Sequence, residues 1–106
     1  MQAEWKTIKN IIRVSDSPKD KFISLIAEDG TIVNANARMV RSLQIKNPKS
    51  GAVNFFDLLH PLNKSDFKNG LRQSIEERTS VAMEGYLKNG YYHPIKWQIS
   101  PLIKEG

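Results

Sequence analysis

Apolar and polar positions alternate in two different periods along this chain. Between residues 4 and 13 ("EWKTIKNIIR") the apolar positions 5, 8 and 11/12 recur at helical spacing, which predicts a short amphipathic helix. Ser15-Asp16-Ser17-Pro18 ends it, since proline disfavours helix at the residue before it. A stripe of Trp5, Ile8 and Ile12 on so short a helix cannot hold alone in water. It therefore packs on its own domain or on a partner, and a homodimer contact through these three residues is the expectation adopted here. Phe22–Ala27 is then dense in large apolar residues, Glu28-Asp29-Gly30 is turn chemistry, and Thr31–Val33 resumes a β-rich run. Asn34-Ala35-Asn36 breaks the pattern, and Met39, Val40 and Leu43 repeat at helical spacing. Asn36 falls where a helix N-cap belongs, because its side chain can accept a bond from a first-turn N–H.

Further along, Asn47-Pro48 and Ser50-Gly51 mark turns, and Phe55–His60 is a short apolar segment closed by Pro61. Asn63–Arg78 carries the clearest helical pattern. Asn63 is the expected cap, Asp66 suits the positive helix start, and Phe67, Leu71 and Ile75 form one stripe. Gly70 inside that helix costs about 1 kcal/mol against alanine, which close packing would explain. Ser80–Lys88 alternates, with Val81, Met83 and Leu87 largely on one face. Asn89-Gly90 is a hairpin turn. After Pro94, Ile95, Trp97 and Ile99 alternate with Lys96, Gln98 and Ser100, the pattern of a half-buried strand whose core side holds Trp97.

The order of these pieces adds a family likeness. "DGTIVNANARMVRSL" resembles the opening of a PAS domain: a strand turn at Asp-Gly, a strand, an Asn at position 36 before a short helix, then apolar helix residues. Gly51 followed by "FFDLLHP" is similar to that family's short helix and His-Pro corner, and "YLKNGYYHPIKWQISPL" to its late hairpin, including the W-x-x-S-P-L ending. The resemblance covers roughly residues 21 to 103. It implies an α+β fold, an antiparallel sheet with short helices on one face, and a sensory or signal-relay module of a larger regulator such as a histidine kinase. The division it suggests is an N-terminal helix and linker over 1–20 and a PAS-like domain over 21–106. In that family a small molecule can sit between sheet and helices. Here the lining candidates are Ile23, Leu25, Met39, Leu43, Phe55, Leu58, Leu71, Met83 and Trp97. The same residues would also make a plain filled core. The family pattern has five strands, the last one central. Four strands are legible here, and only Lys104-Glu105-Gly106 follow Ile103, so the central strand is expected to be missing from the chain. Its place would be closed by pairing of the first strand with the last, or by a partner chain. The alternative, filling by the segment before Asp20, is disfavoured by the helical spacing of residues 5–13.

Composition narrows the function classes. A chain of 106 residues, 40% apolar, suits one domain with a modest core. Without cysteine it has no disulfide, thiolate metal site or thiol nucleophile of its own, which is compatible with a reducing cytoplasm. No apolar run approaches the ~20 residues of a membrane helix, although a parent protein could be anchored. The net charge of +5 admits an anionic partner, but Lys and Arg are scattered, so nucleic acid is the weakest of the readings. No nucleophile–base set, phosphate loop or metal spacing nominates an enzyme. The resemblance points away from haem and flavin as well: the long helix has no histidine to serve as an axial ligand, and no cysteine is present to react with a flavin. His60 is expected to make a structural hydrogen bond, and His93 to be exposed. Three classes stay open: a ligand-sensing module, a ligand-free dimerisation or interaction module coupled to an effector domain, and a nucleic-acid-binding domain.

Overall fold

The structure is a computed structural model that describes residues 10–16, 21–88 and 94–102. It is an α+β fold built on one antiparallel sheet. Strand β1 (Ile11–Asp16) is followed by β2 (Ile23–Ala27) and β3 (Ile32–Ala35), then helix α1 (Ala37–Ser42). A 3-10 helix (Phe55–Leu58), helix α2 (Pro61–Glu77), β4 (Val81–Gly85) and β5 (Ile95–Leu102) complete it. The strand order is β3-β2-β1-β5-β4.

The centre of the sheet corrects the sequence-based expectation. Residues 11–13, expected to end a helix, begin a strand that lies between β2 and β5 and pairs with both. The segment before Asp20 therefore fills the central place; neither direct closure of β2 on β5 nor a partner strand is needed. It also means that residues 11–16 belong to the sheet, not to a helix and linker preceding it. The physical reason is tertiary. Ile11, Ile12 and Val14 are β-branched, and in this slot both edges of their backbone find ladder partners while Ile12 and Val14 enter the core. A helix in the same place would leave β2 and β5 with unpaired groups. Trp5 and Ile8, the rest of the expected stripe, lie outside the described residues, as do Asn89-Gly90 and His93.

The β2–β3 turn is tightly bound. Gly30 adopts φ +90° and its N–H donates to the Ala27 carbonyl at 2.9 Å. Asp29 Oδ1 accepts from the Thr31 N–H at 2.9 Å, which holds its carboxyl below the ordinary value of 3.8. Asn54 clamps the turn from outside: its Nδ2 donates to the Asp29 carbonyl, while its Oδ1 accepts from Phe56 N–H and starts the 3-10 helix. Asn36 caps α1 as expected, accepting from Met39 N–H at 3.1 Å; its Nδ2 also donates to the Lys21 carbonyl, tying the helix start to the entry of β2.

Helix α2 starts two residues earlier than its pattern suggested. His60 is the N-cap, its Nδ1 accepting from Leu62 N–H at 3.2 Å, and Pro61 takes the first turn, where its missing N–H costs nothing. Asn63, freed from capping, accepts from Tyr86 N–H at 2.8 Å and so ties the helix to the end of β4. The buried face of α2 is Phe67, Gly70, Leu71 and Ser74. Gly70 lies against side chains of the sheet: a Cβ there would stand 3.0 Å from Met83 Sδ and 3.5 Å from Ile99 Cδ1. This close approach accounts for the glycine that helix propensity disfavours.

Candidate functional site

The register of the central strands sorts every residue to one of two faces. Ile12 lies opposite Ile26 and Pro101, and Val14 opposite Ser24 and Ile99; this face carries the helices. Ile11 lies opposite Ala27 and Leu102, Arg13 opposite Leu25 and Ser100, and Ser15 opposite Ile23 and Gln98; these make the far face.

On the helix face, the residues expected to line a ligand space pack on one another. Met39, Phe55, Leu71 and Trp97 are fully buried, and Leu43, Leu58 and Met83 are half-buried against them. The Phe55 ring stacks on Phe67 at a centroid distance of 4.9 Å and meets Trp97 edge-on at 5.4 Å. Such offset and T-shaped arrangements suit the ring quadrupoles. Phe67, Ile12, Val14, Leu59 and Ile99 share this core. Leu59 and Leu87 enter it through a two-residue bridge that joins the 3-10 helix to the end of β4, a long-range contact with no local sequence signal. One polar atom stands out. The indole N–H of Trp97, in a residue 1% exposed, has no hydrogen-bond partner among the described residues.

Two lining candidates are on the wrong side. Ile23 and Leu25 point to the far face; Phe22, Ser24 and Ile26 point inward. The run "FISLIA" is apolar in both parities, and its one polar residue, Ser24, is the inward one, its Oγ reaching the Val14 carbonyl at 3.4 Å. Alternation therefore could not reveal which parity faces the core. Ile12 needs the opposite correction: expected at an association surface, its side chain is 0% exposed inside the chain's own core.

The far face gathers Ile11, Ile23, Leu25 and Leu102 on three adjacent strands, with Leu102 42% exposed and the other three half-buried. None of the four belongs to the helix-side core. Arg13 lies among them, with one guanidinium N–H directed at Ser15 Oγ at 3.4 Å. The four thus form a largely apolar stretch with Arg13 among them. His60 is committed to its capping bond. Among the described residues, no group of three or more His, Asp or Glu is placed to hold a metal ion, and no helix is long and apolar enough to cross a membrane. Comparison with models of known protein families and with curated proteins finds no match to this chain.

Proposed function

We propose that this chain is a PAS-like signal-relay module of a larger regulatory protein, of the histidine-kinase type, that works by association of two copies through the far face of its sheet. The observation that carries this reading is the apolar set Ile11, Ile23, Leu25 and Leu102 on the face opposite the helices. An apolar set of this kind, three residues half-buried and Leu102 exposed, is suited to an interaction surface, and two-fold dimers are the commonest oligomers. The mutual packing of Phe55, Phe67 and Trp97 on the helix side supports an output by geometry over a mechanism that begins with a bound ligand. The test is sedimentation equilibrium of the wild type and of a Leu25→Lys, Leu102→Lys variant, with circular dichroism to confirm that both fold. Dimer in the wild type and monomer in the folded variant is the expected result. A wild type that stays monomeric at high concentration, or a variant that dimerises equally, removes the proposal.

A second reading, ligand sensing, is favoured by one specific observation: the unpartnered Trp97 indole N–H. Leaving a buried donor unsatisfied costs roughly 1–3 kcal/mol, and a small molecule bearing an acceptor would recover that. Native mass spectrometry of the purified protein separates the two readings, because a retained molecule adds mass.

A further inference from the structure

Helix α2 has a second surface, flanking its buried face and sharing Leu71 with it. Lys68, Leu71, Arg72, Ile75 and Glu76 follow one another at i, i+3, i+4, i+7 and i+8, so they share one side of the helix. Together with Phe56 and with Glu28 of the β2–β3 turn they bound a groove of about 440 Å³. That lies within the roughly 300–1,000 Å³ usual for small-molecule sites. Its apolar part is Phe56, Leu71 and Ile75; Leu71 is buried and the other two half-buried.

The charges around this floor are not paired with one another. Lys68 Nζ stands over the Phe56 ring at 5.2 Å from its centroid and has no carboxylate partner among the described residues. Arg72 and Glu76, one turn apart, have neither an ion-pair nor a hydrogen-bond partner among them. Glu28 accepts from Asn10 Nδ2. The groove therefore offers two cations and two anions around an apolar strip. A dianion would meet Glu28 and Glu76, and a simple cation would meet Lys68 and Arg72. A zwitterion meets neither penalty. Side chains one helical turn apart have Cβ atoms about 5–6 Å from each other. Arg72 and Glu76 thus stand side by side on one flank of the groove, where the opposite ends of one small zwitterion can each find a charged partner.

We propose that this groove binds a free α-amino acid with an apolar side chain. Its carboxylate takes the two parallel N–H donors of Arg72, the geometry that favours guanidinium over ammonium. Its ammonium donates to Glu76, and its side chain lies on Leu71, Ile75 and Phe56. The site is open to solvent, so affinity in the millimolar range is expected. The proposal is independent of association through the far face, because the two surfaces lie on opposite sides of the sheet.

Amide chemical shifts of the 15N-labelled protein test it, with L-leucine as probe and glycine, 4-methylpentanoate and 3-methylbutylamine as comparisons. Leucine is expected to give saturable shifts confined to Phe56 and residues 68–76, and each comparison compound to bind about tenfold more weakly. Arg72→Gln should weaken leucine and 4-methylpentanoate by about tenfold and leave 3-methylbutylamine no weaker; Glu76→Gln should weaken leucine and 3-methylbutylamine and leave 4-methylpentanoate no weaker. Both residues are exposed, so both variants keep the fold, and unperturbed shifts outside the groove check this. Absence of saturable shifts with leucine overturns the proposal. So does glycine binding as tightly as leucine, or a leucine affinity that neither variant changes.

Discussion

Gly30 carries two demands that no other residue type meets. Its φ of +90° is rare for side chains of L configuration, and a Cβ there would stand 2.6 Å from Asn54 Oδ1 and 2.7 Å from the Phe56 ring. Gly30→Ala should destabilise the protein by more than about 2 kcal/mol; a urea-denaturation difference under about 0.5 kcal/mol would show that the turn relaxes. Its neighbour Asp29 sets a pH dependence. Its carboxyl is lowered in the fold by the Thr31 N–H bond, so its stabilising contribution is present above the unfolded value of 3.8 and is lost as pH falls through the lower folded value. Asp29→Asn keeps an acceptor for Thr31 but does not titrate, so its stability should fall less steeply in that acid range. Parallel melts of the two proteins check the slope. Trp97 separates packing from hydrogen bonding at one position. Trp97→Ala should cost roughly 3–5 kcal/mol for the lost burial. Trp97→Phe removes the orphan donor and some volume together, opposing effects that should leave it within about 1.5 kcal/mol of wild type. A much larger loss for Trp97→Phe would mean that the indole N–H has a partner that stabilises the fold.

At the scale of elements, the decisive one is β1. A central strand should exchange its amide hydrogens only in the rarest openings. Protection of residues 11–16 equal to that of β5 is therefore expected in native-state exchange; rates near those of a free peptide would refute the strand order. The same placement predicts what Ile12→Asp does. An unpaired charge at a 0% exposed position inside the sheet core should unfold the protein or cost at least about 4 kcal/mol. A surface contact would instead shift association alone, with the monomer still folded, and thermal melts tell these apart. Helix α1 depends on one side chain in a similar way. Asn36→Ala removes its N-cap acceptor and the tie to Lys21, for a loss of about 1–2 kcal/mol.

At the scale of the whole molecule, one sheet separates a face that carries the helices from a face that, among the described residues, carries none. The helices, the three-ring cluster and the buried aliphatic residues lie on one face. The other carries half-buried aliphatic side chains and the exposed Leu102 beside Arg13, on a chain of net charge +5. An interface made there would be driven by apolar burial, with the net charge of +5 on each copy opposing it. Dimerisation should therefore strengthen modestly as salt rises, since screening relieves the like charges and leaves the apolar term. Sedimentation at low and high salt checks the sign: weakening with salt would point to ion pairs across the interface and to a different surface.

What the amino-acid sequence determined by itself was local. Asp29-Gly30 specified a turn, Asn36 a helix start, the Phe67–Leu71–Ile75 stripe a long helix, and the alternation around Trp97 a strand with the indole inward. Each of these rests on neighbours within a few residues, where turn geometry and periodicity act directly. Tertiary structure decided the rest. Ile11–Val14 satisfies a helical spacing and a strand spacing at once, and the two waiting ladders of β2 and β5 chose between them. The run Phe22–Ala27 is apolar in both parities, so its inward face was set by the bulk of Phe55, Phe67 and Met39 on one side of the sheet, with Ser24 admitted because its hydroxyl finds a carbonyl. The candidate sites were the least legible of all. The far-face patch exists only once β1 brings Ile11 beside Leu102, and the α2 groove only once Phe56 and Glu28 are folded against a helix that follows them in sequence.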